Sequence, residues 1–147
     1  MLNPWRPLAT LGLAAMLTGC QLADLRSLDG TEWRAVKIND VVPPAGQGPT
    51  LKFEHGGLTI KTPCTTFSAA KVTIDLTVDP HRFALEGGGG TTMQPACFAG
   101  PEPQVEVSFS AAFGRVEFID LEGAQLVLKG AGGAIVFAQV GPSLPLT

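Results

Sequence analysis

Pro101-Glu102-Pro103-Gln104-Val105-Glu106-Val107-Ser108-Phe109-Ser110-Ala111-Ala112-Phe113-Gly114 decides whether this chain is all β or mixed. Val105, Val107 and Phe109 alternate as in a strand. Val105, Phe109, Ala112 and Phe113 also fall at i, i+4, i+7 and i+8, one face of a helix. The prolines and Glu102 suit a first helical turn, and Gly114 suits the position just past a helix end. The segment is read as a helix. Glu102 and Glu106, four apart with no helical basic partner, read as its solvated face.

Outward from this helix the pattern has period two. Val116 to Leu121, Ala124 to Lys129 and Ala134 to Val140 read as strands, separated by the hairpin signals Glu122-Gly123 and Gly130-Ala131-Gly132-Gly133. Upstream, Thr31 to Ile38 alternates with Trp33, Ala35 and Ile38 near one face. Asn39-Asp40 begins a turn, and Pro43 to Pro49 is a loop. Thr50 to Glu54 and Leu58 to Lys61 flank the hairpin signal His55-Gly56-Gly57. Pro63 ends or edges the second of these strands. Val72 to Val78 is the clearest alternation, with Val72, Ile74, Leu76 and Val78 on one face. Asp79-Pro80 turns the chain into a short strand from Arg82 to Leu85. Gly87 to Gly90 reads as a turn or bulge. Thr91-Thr92-Met93 follows it, so the lysine of a phosphate-binding loop is missing. The sum is about eight strands and one helix: α+β, mostly β, around one core.

Length and composition agree. The chain has 147 residues, room for one domain, with 45% apolar and 16% charged side chains, which excludes disorder. The 18 glycines and 12 prolines mark a turn-rich fold. A net charge of −3 argues against nucleic-acid binding, which needs a basic footprint. No apolar run reaches the roughly 18 residues that cross a bilayer.

The N-terminus reads as an address. Arg6 is followed by an apolar stretch from Leu8 to Leu17 and then Leu17-Thr18-Gly19-Cys20, the pattern of an export signal. The ending looks like a bacterial lipobox, which implies cleavage after Gly19 and acylation of Cys20. The expected organisation is a lipoprotein signal peptide at 1–19, a tether at 20–27, a domain at 28–140 and a loose tail at 141–147. With Cys20 lipidated, Cys64 and Cys97 remain as an even pair in an oxidising compartment, and a disulfide is expected. Neither CxxC nor HxxxH spacing is present, so no metal site is expected.

Four segments resemble the META/HslJ family of small bacterial envelope proteins. Leu28-Asp29-Gly30-Thr31-Glu32-Trp33 resembles the family's Leu-x-Gly-Thr-x-Trp opening. Pro63-Cys64-Thr65-Thr66-Phe67-Ser68 resembles its Gly-Cys-Asn-x-Phe segment. Thr91-Thr92-Met93-Gln94-Pro95-Ala96-Cys97 resembles Thr-x-Met-x-Cys with one extra residue. Leu126 to Lys129 through Ile135 to Phe137 resembles the closing hairpin. Pro63, Thr65 and Ala69 stand where the family has Gly, Asn and Gly. The resemblance implies a small, curved, partly open antiparallel β-barrel packed by one helix. It also implies a stress-linked lipoprotein without an established enzymatic activity.

Nothing in the sequence assembles a catalytic group. His55 and His81 sit in turns, the serines lack a G-x-S-x-G context, and there is no tyrosine. The expectation is a non-enzymatic, membrane-anchored envelope lipoprotein without a cofactor. It would sit in the outer membrane facing the periplasm if the host has two membranes. It would bind a protein partner in stress tolerance or assembly or, alternatively, a lipid or other small apolar ligand. Phe67, Phe98 and Trp33 are the expected lining of an apolar groove.

Overall fold

Eight strands form among the described residues, and their order in space is their order in sequence. The computed structural model describes residues 24–93 and 103–141. A 3-10 turn at Leu25–Ser27 leads into β1 (Glu32–Ile38), β2 (Thr50–Glu54), β3 (Gly57–Lys61), β4 (Thr65–Asp75) and β5 (Arg82–Met93). Helix α1 (Pro103–Phe113) follows, then β6 (Val116–Glu122), β7 (Gln125–Gly130) and β8 (Gly133–Val140). Every neighbouring pair is antiparallel, and β8 pairs with β1, so the sheet closes into a barrel. The fold is mostly β with one helix.

The core is the inward half of the alternation. Trp33, Ala35, Leu51, Phe53, Leu58, Ile60, Leu126, Leu128, Ile135 and Phe137 are all buried. Ile38 joins them although its parity is wrong, because the register against β8 shifts between Ala35 and Lys37. That bulge exposes Val36 and Lys37 in succession and returns Ile38 to the interior. Helix α1 turns Val105, Phe109 and Ala112 inward, the face its spacing predicts, and packs against β1 and β8.

The opening motif acts as a fastener at the start of β1. Leu28 is buried, and its carbonyl accepts hydrogen bonds from the Thr31 amide and hydroxyl. The Thr31 oxygen in turn accepts the Trp33 indole N–H at 2.8 Å. Gly30, at φ +83, donates its amide to the Phe53 carbonyl at 2.7 Å. The one polar atom of the fully buried Trp33 therefore has a partner.

Two strands depart from the reading. The expected strand Val72 to Val78 lies instead in β4, which starts at Thr65 and stops at Asp75. There the Asp75 carboxylate accepts the Thr77 amide at 2.9 Å and also binds the Thr77 hydroxyl, bending the chain away from the ladder. These bonds hold the Asp75 carboxyl below the usual carboxylate range. Leu76 and Val78 thus belong to the turn, and Val78 is exposed. The expected short strand at Arg82 is the start of β5, which continues through all four glycines. Pairing with β4 carries it, with Lys71 opposite Glu86, Ala69 opposite Gly88 and Ser68 opposite Gly89. One residue is then gained before Thr66 meets Thr92.

Closure is uneven. Seven of the eight seams run for several residues, whereas β5 and β6 share only the Arg82–Phe118 position. The Ile119 amide reinforces it by donating to the His81 carbonyl at 3.0 Å, and the Arg82 guanidinium sits over the Phe118 ring at 5.9 Å. The expected partial opening is thus reduced to a thin seam in a closed ring.

Candidate functional site

Next to that thin seam, α1 and the β3–β4–β5 wall border an open cavity of about 470 Å³. Its lining is largely apolar: Ile60, Phe67, Phe83, Leu85, Phe109 and Phe113, with Val116 from the first residue of β6. Phe109 and Phe113, one helical turn apart, stack with ring centroids 5.3 Å apart. Phe67 is half-buried opposite the glycine strand, where Gly88 lies against the edge of its ring.

Glu106 is the exception in this wall. It is 9% exposed, the buried charged side chain of the described residues, and not part of a solvated helix face. The spacing contains the reason: Glu106, Phe109 and Phe113 stand at i, i+3 and i+7 and share a helical face. Tertiary packing of that face against Thr62 and Thr65 then removes the carboxyl from water.

The turn between β3 and β4 is built around this carboxyl. The Thr62 hydroxyl oxygen accepts the backbone amides of Thr65 at 2.8 Å and Cys64 at 3.3 Å. Its own proton goes to Glu106 Oε1 at 2.7 Å, shorter than its 3.2 Å approach to the Thr65 carbonyl. The Thr65 hydroxyl donates to the same oxygen at 3.2 Å. Thr65, which replaces the family's asparagine, is therefore one of the residues holding the cavity's only buried acid among the described residues. Glu106 Oε2 is buried and has no hydrogen-bond partner among the described residues.

The residues expected at the groove separate. Phe67 lines the cavity. Trp33 does not: it is fully buried in the barrel core, and its indole is turned to Thr31, because its inward parity on β1 places it among core side chains. Phe98, Cys97 and Cys20 lie outside the described residues. Cys64 is 2% exposed and is not a free thiol. His55 is an exposed corner of the β2–β3 hairpin at φ +52. The His81 ring nitrogen contacts the Val78 carbonyl at 2.9 Å. No group of three or more His, Cys, Asp or Glu side chains placed to hold a metal occurs among the described residues.

Comparison with known proteins adds a family and a fold. The family model described as the META domain matches residues 26–141. No curated protein matches the chain. A protein from Burkholderia xenovorans solved by NMR is similar in fold, with a TM-score of 0.54 at 18% identity, over 78% of this chain and 85% of that one.

Proposed function

The chain belongs to the META-domain family, and from that premise we propose that it is a non-enzymatic binding module for a small apolar ligand. In this reading it is an envelope lipoprotein held on the membrane by lipid on Cys20 and braced by a Cys64–Cys97 disulfide. The observation that carries the ligand reading is the cavity: about 470 Å³, walled mostly by aliphatic and aromatic side chains, with a single buried carboxyl. Volumes of this order, with few polar groups in an apolar wall, are typical of small-molecule sites. Pairing around the ring leaves the β5–β6 seam, joined at Arg82–Phe118 alone, as the place among the described strands where a partner's strand could add.

A protein partner in envelope stress tolerance or assembly is the second reading. Two exposed valines favour it: Val42 on the β1–β2 connection and Val107 on α1 are 70% and 67% exposed.

The anchor and the ligand have separate tests. Cys20→Ser is expected to move the protein from the membrane fraction to the soluble one, since burial of acyl CH₂ groups, at about 0.8 kcal/mol each, supplies the attachment. Firm retention by washed membranes would remove the lipid anchor. Native mass spectrometry of protein purified gently from its own envelope is expected to show a non-covalent adduct, beyond the covalent lipid, that disappears on denaturation. A bare chain that instead crosslinks saturably to one envelope protein overturns the ligand reading in favour of the partner.

A further inference from the structure

We propose that the β5–β6 gap takes an extended peptide with apolar residues at alternate positions, which adds antiparallel to the edge of β5 and sends those side chains into the cavity; this rests on the partner reading above. The direction of the backbone groups along β5 carries it. The His81 carbonyl is turned to β6, where it accepts the Ile119 amide at 3.0 Å. Backbone groups two residues apart in a strand point the same way, so the Phe83 carbonyl and the Leu85 amide and carbonyl are turned to that side as well. Counted from the Arg82–Phe118 pair, Leu85 stands level with Arg115. There the chain is still leaving α1, and the Arg115 amide donates to the Ala112 carbonyl at 3.3 Å. Leu85 therefore has no ladder partner on this side among the described strands.

The same gap borders the cavity. Phe83 and Leu85 line it from β5, and Phe113, Gly114 and Val116 line it from the end of α1 and the start of β6. Ala84, Glu86, Gly87 and Gly88 are exposed, so the outer side of β5 is uncovered along this stretch. Directly opposed residues of antiparallel strands share a face. A residue opposite Leu85 thus puts its side chain in the cavity, and so do the residues two before and two after it. A lipid would fill the apolar volume but leave the Leu85 amide and carbonyl unpaired, whereas an added strand pairs both. A peptide that continues the ladder where β6 stops takes the direction of β6, antiparallel to β5.

The probe is the capped heptapeptide acetyl-Lys-Val-Thr-Val-Thr-Val-Lys-amide, titrated against the full chain by isothermal titration calorimetry. It is compared with one version N-methylated on its valines and another N-methylated on its threonines. In antiparallel addition the residues that enter the cavity also bond to β5. Valine methylation is therefore expected to weaken binding by about tenfold or more, and threonine methylation by less than about threefold. Leu85→Pro removes the seam-facing amide and leaves the bonds to β4, a placement strands tolerate at an edge, and is expected to weaken the unmodified peptide about tenfold. The methylation series decides the matter by itself if the variant does not fold. Equal weakening by both methylations, or no binding of the unmodified peptide, overturns strand addition. Saturable crosslinking to one envelope protein that is equal in wild type and folded Leu85→Pro overturns the edge and keeps the partner reading, whereas no saturable crosslink in either overturns that reading too. A wild-type dimer in analytical ultracentrifugation that Leu85→Pro dissociates gives the edge to a second copy and overturns the separate peptide.

Discussion

Trp33→Ala lowers the unfolding free energy by about 3–5 kcal/mol, the range for truncating a buried large aromatic residue. Trp33 is fully buried in a barrel whose other core residues are also inaccessible, so little can move in to fill the space. Its loss also removes the indole N–H that the Thr31 oxygen accepts, although the Thr31 hydroxyl keeps its bond to the Leu28 carbonyl. For a domain of this size roughly 4 °C of midpoint follows each kcal/mol, so the melting temperature falls by about 12–20 °C. Against typical stabilities of about 5–15 kcal/mol, a substantial unfolded fraction at physiological temperature is expected. Thermal and urea unfolding of the variant measure this directly, and a change below about 1 kcal/mol would mean that the motif does not fasten the core. Thr31→Ala separates the parts, since it removes the indole's partner without opening the cavity.

The second large effect concerns the proposed disulfide. Cys97→Ser is expected to cost about 3.5–4 kcal/mol, because an uncrosslinked denatured chain regains the freedom of a 34-residue loop. The native side of the bond is a constrained position. Cys64 is buried, in the turn whose amides are gathered by Thr62 and whose next residue binds Glu106. Adding reductant to the wild type should reproduce the variant's melting curve. Alkylation of both thiols in denatured, unreduced protein would refute the pairing.

The legible parts of this fold are those in which local chemistry and tertiary packing agree. The helix at Pro103–Phe113 could be read because proline, apolar spacing and Gly114 all point the same way. The hairpins at His55-Gly56 and Gly123 could be read because their glycines take positive φ at the bends. Misreadings occur where packing overrides propensity. Gly87 to Gly90 have no side chains to signal a strand, yet β4 supplies the ladder that holds them in one. Leu76 and Val78 alternate as strand residues should, yet the Asp75 side chain captures the next turn. At the site, Phe67 could be anticipated from its place beside Cys64. Trp33 was an aromatic whose face, not its type, decided its role. Glu106 was concealed by the habit of assigning charges to the outer face, although its interval to Phe109 and Phe113 already placed it with them.

The meander has a consequence for orientation. With an even number of strands running up and down in sequence order, the chain enters and leaves the barrel at the same end, Glu32 lying opposite Val140. The connections alternate, so the β3–β4 turn and the helical β5–β6 crossing lie at the other end. A lipid on Cys20 would reach the barrel through the tether at 20–27, whose last three residues form the 3-10 turn, so the leash before that turn spans at most about 18 Å. On the proposed lipid anchor the base of the barrel would be moored to the bilayer, while the end carrying Thr62, Thr65 and Glu106 would stand off it. A ligand would be met from the aqueous side, as a buoy meets traffic at the surface while its chain runs to the seabed.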